Sequence, residues 1–270
     1  MTEKPKRDGA LASRMAEPEV FVLLDERGQR HLVSGGEPMA RIPGLGVLSL
    51  EKLRGAVGRR LGVGDRSVLV LPASRRDRME GLERRAQTVG PKDAASILFN
   101  ADVGPGETII EAGAGSAWLT VALASAVGPS GRVVSYEERA DFAEFARENL
   151  RRAGMGDRVE VRVADVAAGI RERDVDAVVL DIPDPWTVVT VAWEALRVGG
   201  AIASFSPNVE QVRQTVEALR EAPFVEVRTL EIIERELEVK ETGTKPSFAP
   251  LGHTGYITTA RKALDRFINP

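Results

Sequence analysis

From residue 91 onward the chain repeats one pattern: a short apolar run that reads as a strand, a turn, then a stretch with helical spacing. Pro91 suits the first turn of a helix running through 94–98. Strands follow at 108–110, 132–136, 159–163, 176–180 and 201–205, separated by helices over 117–126, 139–153, 186–197 and 208–221. Parallel neighbours need a crossover and a helix supplies it, so this alternation predicts a mostly parallel, doubly wound α/β sheet. The end breaks the pattern. Residues 225–233 and 254–259 are β-rich with only a Gly/Pro-rich loop between them, which predicts an antiparallel hairpin closing the sheet.

The N-terminal part reads differently. Residues 1–17 are polar and without periodicity, a flexible tail. Residues 18–73 read as a small β-rich domain: a hairpin of 20–24 and 31–33 around Asp25-Glu26-Arg27-Gly28, and a later strand at 68–71 closed by Pro72. The charged stretch 74–90 reads as a linker to the α/β domain of 91–270. No apolar run approaches the roughly 20 residues a bilayer span needs, and no apolar segment follows the N-terminal charges, so a cytoplasmic protein without membrane contact is expected. Cysteine is absent and only two histidines are present, which argues against disulfides, thiolate nucleophiles and a protein-held metal. The net charge of −3 gives no global signature of nucleic-acid binding, but arginines cluster locally, above all over 75–85.

The chemistry concentrates after the 108–110 strand, in Glu111-Ala112-Gly113-Ala114-Gly115-Ser116-Ala117. Gly113 and Gly115 allow a tight turn into the next helix and close approach of a ligand. A lone Gly-x-Gly is weak evidence. It gains weight from Glu137, an acid about twenty residues on at the next strand end, where a carboxylate can accept both hydroxyls of an adenosine ribose. A dinucleotide site wants a third glycine near Leu119 so that a pyrophosphate can rest on the helix N-terminus. Glu111 would instead repel a pyrophosphate and suits the α-amino group of a methionine moiety. Asp165 matches an acid that bonds an adenine amino group, or else caps a following turn. These features favour S-adenosylmethionine, and the closing hairpin fits a class I methyltransferase sheet. At the fourth strand end, Asp181 in Leu180-Asp181-Ile182-Pro183-Asp184-Pro185-Trp186 would face the ligand crevice beside the transferred methyl group. Asp184 reads as a helix cap and Trp186 as core.

The chain resembles the tRNA (adenine-N1)-methyltransferases that modify adenine 58 of the T-loop, and in archaea adenine 57 as well. The resemblance covers about residues 20–262. It is carried by Pro91-Lys92-Asp93-Ala94, the 111–116 turn, Ser135-Tyr136-Glu137, Leu180-Asp181 with Pro185-Trp186, Pro207-Asn208 with Gln211, Glu231 with Arg235, and Gly252-His253-Thr254. It implies a Rossmann-like class I methyltransferase domain with a small N-terminal β-rich domain, S-adenosylmethionine as cofactor, tRNA as partner and a homotetramer. It further implies that Ser116, Ala117, Trp118 and Leu119 hold the cofactor together with Glu137, and that Asp181 lies beside the acceptor adenine. Three positions depart from the family pattern. Ala117 stands where a glycine is usual and is comfortable only if its φ is negative; Gly90 replaces an aromatic residue; and Leu237 stands where a bulky or aromatic residue often follows Arg235-Glu236.

Adenine N1 is a weak nucleophile, and methyl transfer to it needs mainly in-line alignment. Asp181 is expected to accept a hydrogen bond from the exocyclic amino group and to stabilise charge developing on the ring. The target base must leave its stack first, and the arginines of 75–85 are candidates for gripping phosphates. Two alternatives stay open: a methyltransferase on another RNA, a protein or a small molecule, and a non-catalytic RNA-binding assembly subunit.

Overall fold

The computed structural model describes residues 19–248 and 252–266, so the tail expected over 1–17 lies outside the described residues. Two compact units emerge, one comprising residues up to Glu83 with 147–157, the other 84–146 with 158 onward.

In the first unit, β1 (Val20–Asp25), β2 (Arg30–Ser34), β5 (Arg60–Val63) and β6 (Arg66–Pro72) form an antiparallel sheet in the order β2-β1-β6-β5, and β3 (Met39–Ile42) pairs with β4 (Gly46–Ser49). The β1–β2 turn is set by Asp25, whose Oδ1 accepts the N–H groups of Arg27 and Gln29, and by Gly28 at φ +77°. Leu23, Leu53 and Val70 are fully buried at the centre of this unit. Two short helices had no apolar period long enough to show in the sequence: α1 (Leu50–Gly55) and α2 (Arg75–Glu80). The second lies inside the stretch read as a linker. Its signal is a capping box, in which Ser74 Oγ accepts from Asp77 N and Asp77 Oδ2 accepts from Ser74 N.

The second unit holds helices α3 (Pro91–Asn100), α4 (Trp118–Val127), α6 (Val189–Ala195) and α7 (Val209–Glu221), and the start of α5 (Ala140–Arg152). Its strands are β7 (Thr108–Ala112), β8 (Arg132–Glu137), β9 (Val159–Val163), β10 (Val175–Leu180), β11 (Leu196–Ser206), β12 (Phe224–Glu231) and β15 (Tyr256–Lys262). They form one seven-stranded sheet in the order β12-β15-β11-β10-β7-β8-β9. Strands β9 through β11 run parallel, and β15 enters antiparallel between β11 and β12. Ile109, Ile110, Val133, Val134, Val178 and Val179 are fully buried, the continuous apolar runs that a sheet covered on both faces requires. The segment between β12 and β15, read as a loop, contains a further hairpin of β13 (Leu237–Lys240) and β14 (Gly243–Pro246). No helix among the described residues is long and apolar enough to cross a membrane.

Candidate active site

The strand order reverses between β7 and β10, and ligands of open α/β sheets bind outside the carboxyl ends at that switch point. Backbone bonds extend the sheet there by one residue on each strand. Gly113 N donates to Tyr136 O (2.9 Å), Asp181 N to Ala112 O (2.9 Å) and Ala164 N to Glu137 O (3.1 Å). Gly113 is required by this lacing: at φ +92°, a Cβ on it would stand 2.1 Å from the carbonyl oxygen of Asp181. Gly115 has open space on its Cβ side.

A cavity of about 750 Å³ opens over these ends, within the range that encloses small-molecule cofactors. Its wall includes Gly113, Gly115, Glu137, Asp165 and Asp181 of the residues singled out from sequence. Glu137 is nearly buried; its Oε2 accepts from Gly115 N (3.0 Å) and its Oε1 from Arg139 N (3.1 Å), so the acid is locked to the glycine turn. Asp165 takes the capping role. Oδ1 caps a turn through Ala167 N (2.8 Å), while the residue remains exposed on the cavity wall. Asp181 takes no side-chain hydrogen bond from a described residue, and burial pushes its carboxyl up to about 7. Trp186, expected in the core, is half-buried on the wall, and Asp184 makes no side-chain cap.

The other five lie behind the wall. Ser116, Ala117, Trp118 and Leu119 are buried, and Ser116 Oγ accepts from Arg85 N (3.0 Å). Ala117 adopts φ +60°, the left-handed conformation that glycine occupies without strain and alanine does not, so the comfortable negative φ is not realised. Glu111 is fully buried between β7, α4 and β8, with Oε2 accepting from Thr120 Oγ1 (2.7 Å) and Ser135 Oγ (2.5 Å) and Oε1 left unpartnered. Burial raises its carboxyl to about 7 despite these two donors, and Asp181 and Glu137 repel its charge further. Three carboxylates thus converge on one region. That arrangement repels a pyrophosphate and suits a nucleoside carrying positive charge, so the residues present fit S-adenosylmethionine.

Sequence reasoning missed Gln87, Arg139 and Phe142 on the wall. Gln87 belongs to the charged stretch read as a linker, and nothing in its type or spacing marks it. Gly90 has open space around its Cβ position, and its backbone opens α3 without a side-chain cap.

The remaining motifs are struts. Lys92 Nζ, almost wholly buried, donates to Asp93 Oδ1 (2.7 Å), Ile232 O (2.7 Å) and Thr254 Oγ1 (2.6 Å), and Thr254 Oγ1 donates to Asp93 Oδ2 (2.7 Å). The start of α3 is thereby fastened to the end of β12 and the approach to β15. The ring of His253 lies between two acceptors, Glu231 Oε1 (2.8 Å) and Pro207 O (2.9 Å), which favours the doubly protonated imidazolium and raises its pKa. Asn208 caps α7 through Gln211 N, and Gln211 Nε2 donates to Pro183 O (2.7 Å), tying α7 to the loop that carries Asp181.

The two raised acids predict a pH dependence of the cofactor-free protein. A carboxyl whose folded pKa exceeds its ordinary value contributes stability that is complete below that ordinary value and lost as pH rises through the folded one. For Glu111 and Asp181 the window runs from about 4 to about 7. At about 1.4 kcal/mol per pKa unit, each acid removes on the order of 3 kcal/mol by pH 8. Thermal unfolding between pH 5 and 8 should show a falling midpoint that Glu111→Gln flattens. A midpoint constant across that window would contradict the raised pKa of both acids.

Comparison with known proteins extends these observations. Residues 79–247 match the family model described as the tRNA methyltransferase complex GCD14 subunit. The chain is 38% identical, over 91% of its length and 96% of the relative's, to the tRNA (adenine(57)-N(1)/adenine(58)-N(1))-methyltransferase TrmI of Methanocaldococcus jannaschii. It is 35% identical, over 67% of its length and 71% of the relative's, to the tRNA (adenine(58)-N(1))-methyltransferase TrmI of Thermus thermophilus. Among solved structures, one described as a SAM-dependent O-methyltransferase from Thermotoga maritima superposes with a TM-score of 0.81 at 32% identity, covering 96% of this chain and 98% of that one. The tRNA (m1A58) methyltransferase TrmI of Aquifex aeolicus gives 0.73 at 21% identity, over 92% and 98%, a likeness of fold. The fold is therefore that of the class I methyltransferases, an α/β sheet with a small strand-rich N-terminal region.

Proposed function

The chain belongs to the GCD14 family of tRNA methyltransferase subunits, and from that premise we propose that it transfers the methyl group of S-adenosylmethionine to N1 of adenine 58 of tRNA, with adenine 57 as a second acceptor. The observation that carries this reading is Asp181: a carboxylate on the wall of the switch-point cavity, beside the glycine turn, with no described hydrogen-bond partner of its own. The second acceptor is supported by the Methanocaldococcus relative, which matches nearly full length and is named for both positions.

The cofactor supplies an electrophilic methyl group on a sulfonium, and the residues of this chain provide the rest. Glu137, held by Gly115 N and Arg139 N, retains lone pairs for the ribose hydroxyls. Asp165 offers its uncapped oxygen to the adenine amino group of the cofactor. The backbone of 116–119 supports the turn from behind, and Glu111 adds negative field beneath it. Asp181, once ionised, accepts from the exocyclic amino group of the target adenine and stabilises the positive charge that N1-methylation places on the ring. We include assembly as a homotetramer in the cytoplasm in this reading; Ile233, Leu237, Val239 and Phe248 are exposed apolar side chains suited to contact between copies.

Gln211 fixes the loop that carries Asp181. Gln211→Ala should lower kcat about tenfold, the cost of a misplaced group, with cofactor affinity unchanged. Gln211→Glu, which keeps the size but lacks the N–H donor, should behave alike. Steady-state kinetics measure both variants, and wild-type kcat in both would remove Gln211 from this role.

The reading itself is tested by incubating tRNA transcripts with methyl-labelled cofactor, followed by nucleoside analysis. Label should appear in 1-methyladenosine, fall sharply when adenine 58 is replaced by guanine and fall partly when adenine 57 is. Because the Thermotoga structure is described as an O-methyltransferase, the position of the label matters: label on oxygen, or none on RNA, would overturn the reading.

A further inference from the structure

In the second unit several arginines are neutralised. Arg132, Arg162, Arg197, Arg213 and Arg261 each pair with a carboxylate. Arg84 and Arg85 differ. Their guanidinium groups lie 4.0 Å above the rings of Trp118 and Phe145, both residues are exposed, and neither meets a carboxylate among the described residues. Their place is fixed by the backbone: Arg85 N donates to Ser116 Oγ at 3.0 Å, and the next two residues, Ala86 and Gln87, line the cavity.

This arrangement has a chemical consequence. A guanidinium stacked on a ring uses its π face and leaves its in-plane N–H groups available, and those are the donors that bind a phosphate edge-on. Stacking also restricts the side-chain torsions before any ligand arrives, so less entropy is lost on binding. The rest of the 75–85 cluster is placed differently: Arg75 is exposed and lies over no ring among the described residues. Arg76 pairs with Glu80, and Arg78 is buried and donates to Ala153 O. In a chain of net charge −3, association with a polyanion depends on such local, unneutralised cations.

We propose that Arg84 and Arg85 form a clamp for the RNA phosphate backbone, holding the strand that delivers the acceptor base to the cavity mouth. The proposal rests on the reading of tRNA as substrate. Arg139, over Phe142 at 3.6 Å but within 3.4 Å of Asp141, is partly neutralised and is not part of the clamp.

The test is the affinity of a tRNA transcript across a salt series, with cofactor affinity measured alongside to show that each variant is folded. R84Q/R85Q should bind tRNA roughly tenfold or more weakly at moderate salt, and the slope of log affinity against log salt should become shallower by about 1 to 2, one phosphate contact per arginine. R84K/R85K should keep the slope while losing part of the affinity, because charge is retained without the planar fork. R213Q removes an arginine already paired with Glu210 and Glu217 and should leave both quantities unchanged. If the wild-type protein binds tRNA with a clear salt slope and R84Q/R85Q keeps it, the clamp is overturned while the substrate reading stands. Equal losses in R213Q would also overturn it, since any surface charge would then do. If the wild type itself neither binds nor methylates tRNA, the substrate reading fails first.

Discussion

Replacing Asp181 with alanine should lower kcat by a factor on the order of 10² to 10³ while leaving affinity for S-adenosylmethionine nearly intact. The backbone of Asp181, which completes the sheet through Ala112 O, is kept in such a variant, so the site around the cofactor persists. Only the carboxylate is lost, together with its stabilisation of charge on the acceptor ring. Asp181→Asn preserves shape and should be almost as slow, which isolates charge as the cause. The pH profile gives a second signature. Burial holds the Asp181 carboxyl near 7 in the cofactor-free protein, and the ionised form is the working one, so wild-type kcat/KM should rise with pH through about 7 and then level off. The acid limb should vanish in the residual activity of Asp181→Asn. Undiminished turnover in either variant would remove Asp181 from the mechanism.

Glu137→Ala should produce the opposite split. Both of its oxygens are engaged with the glycine turn and with Arg139 N, and the same oxygens are to receive the ribose hydroxyls. Charge-assisted hydrogen bonds are worth about 1.5–3 kcal/mol each, so losing them should weaken cofactor binding by a factor on the order of 10². At saturating cofactor the turnover should fall far less. Glu137→Gln, which keeps one acceptor oxygen, should lie between. Calorimetric titration with S-adenosylmethionine measures the effect, and wild-type affinity in Glu137→Ala would exclude the acid from the ribose site.

The residues legible in the sequence were those whose chemistry is fixed by local context. Gly113 and Gly115 after an apolar run, Glu137 at the next strand end and Asp181 at the fourth all follow from a strand–turn–helix rhythm that the sheet order then brings to one edge. What stayed hidden depends on contacts distant in sequence. Whether the 116–119 segment faces a ligand or the core is decided by how α4 packs, and it packs with those side chains inward. Gln87 and Phe142 reach the wall from a charged stretch and from an amphipathic helix, where neither residue type stands out. The positive φ of Ala117 is imposed by the turn it closes, against the preference of alanine itself. The motifs Pro-Lys-Asp and Gly-His-Thr mark a resemblance, but their task of tying α3 to β12 and β15 shows only when Lys92, Asp93 and Thr254 meet across some 160 residues of chain. The capping box at Ser74 is visible in the sequence, but the six residues it starts are too few to carry a helical period.

The most direct measurement is a crystal structure of the protein with S-adenosylhomocysteine, the demethylated form of the cofactor. The ribose hydroxyls should lie within about 3 Å of the Glu137 carboxylate, with the sulfur turned toward Asp181 across the cavity. A ligand seated elsewhere, or one whose sulfur faces away from Asp181, would contradict an acid at the sugar and an acid at the transferred methyl.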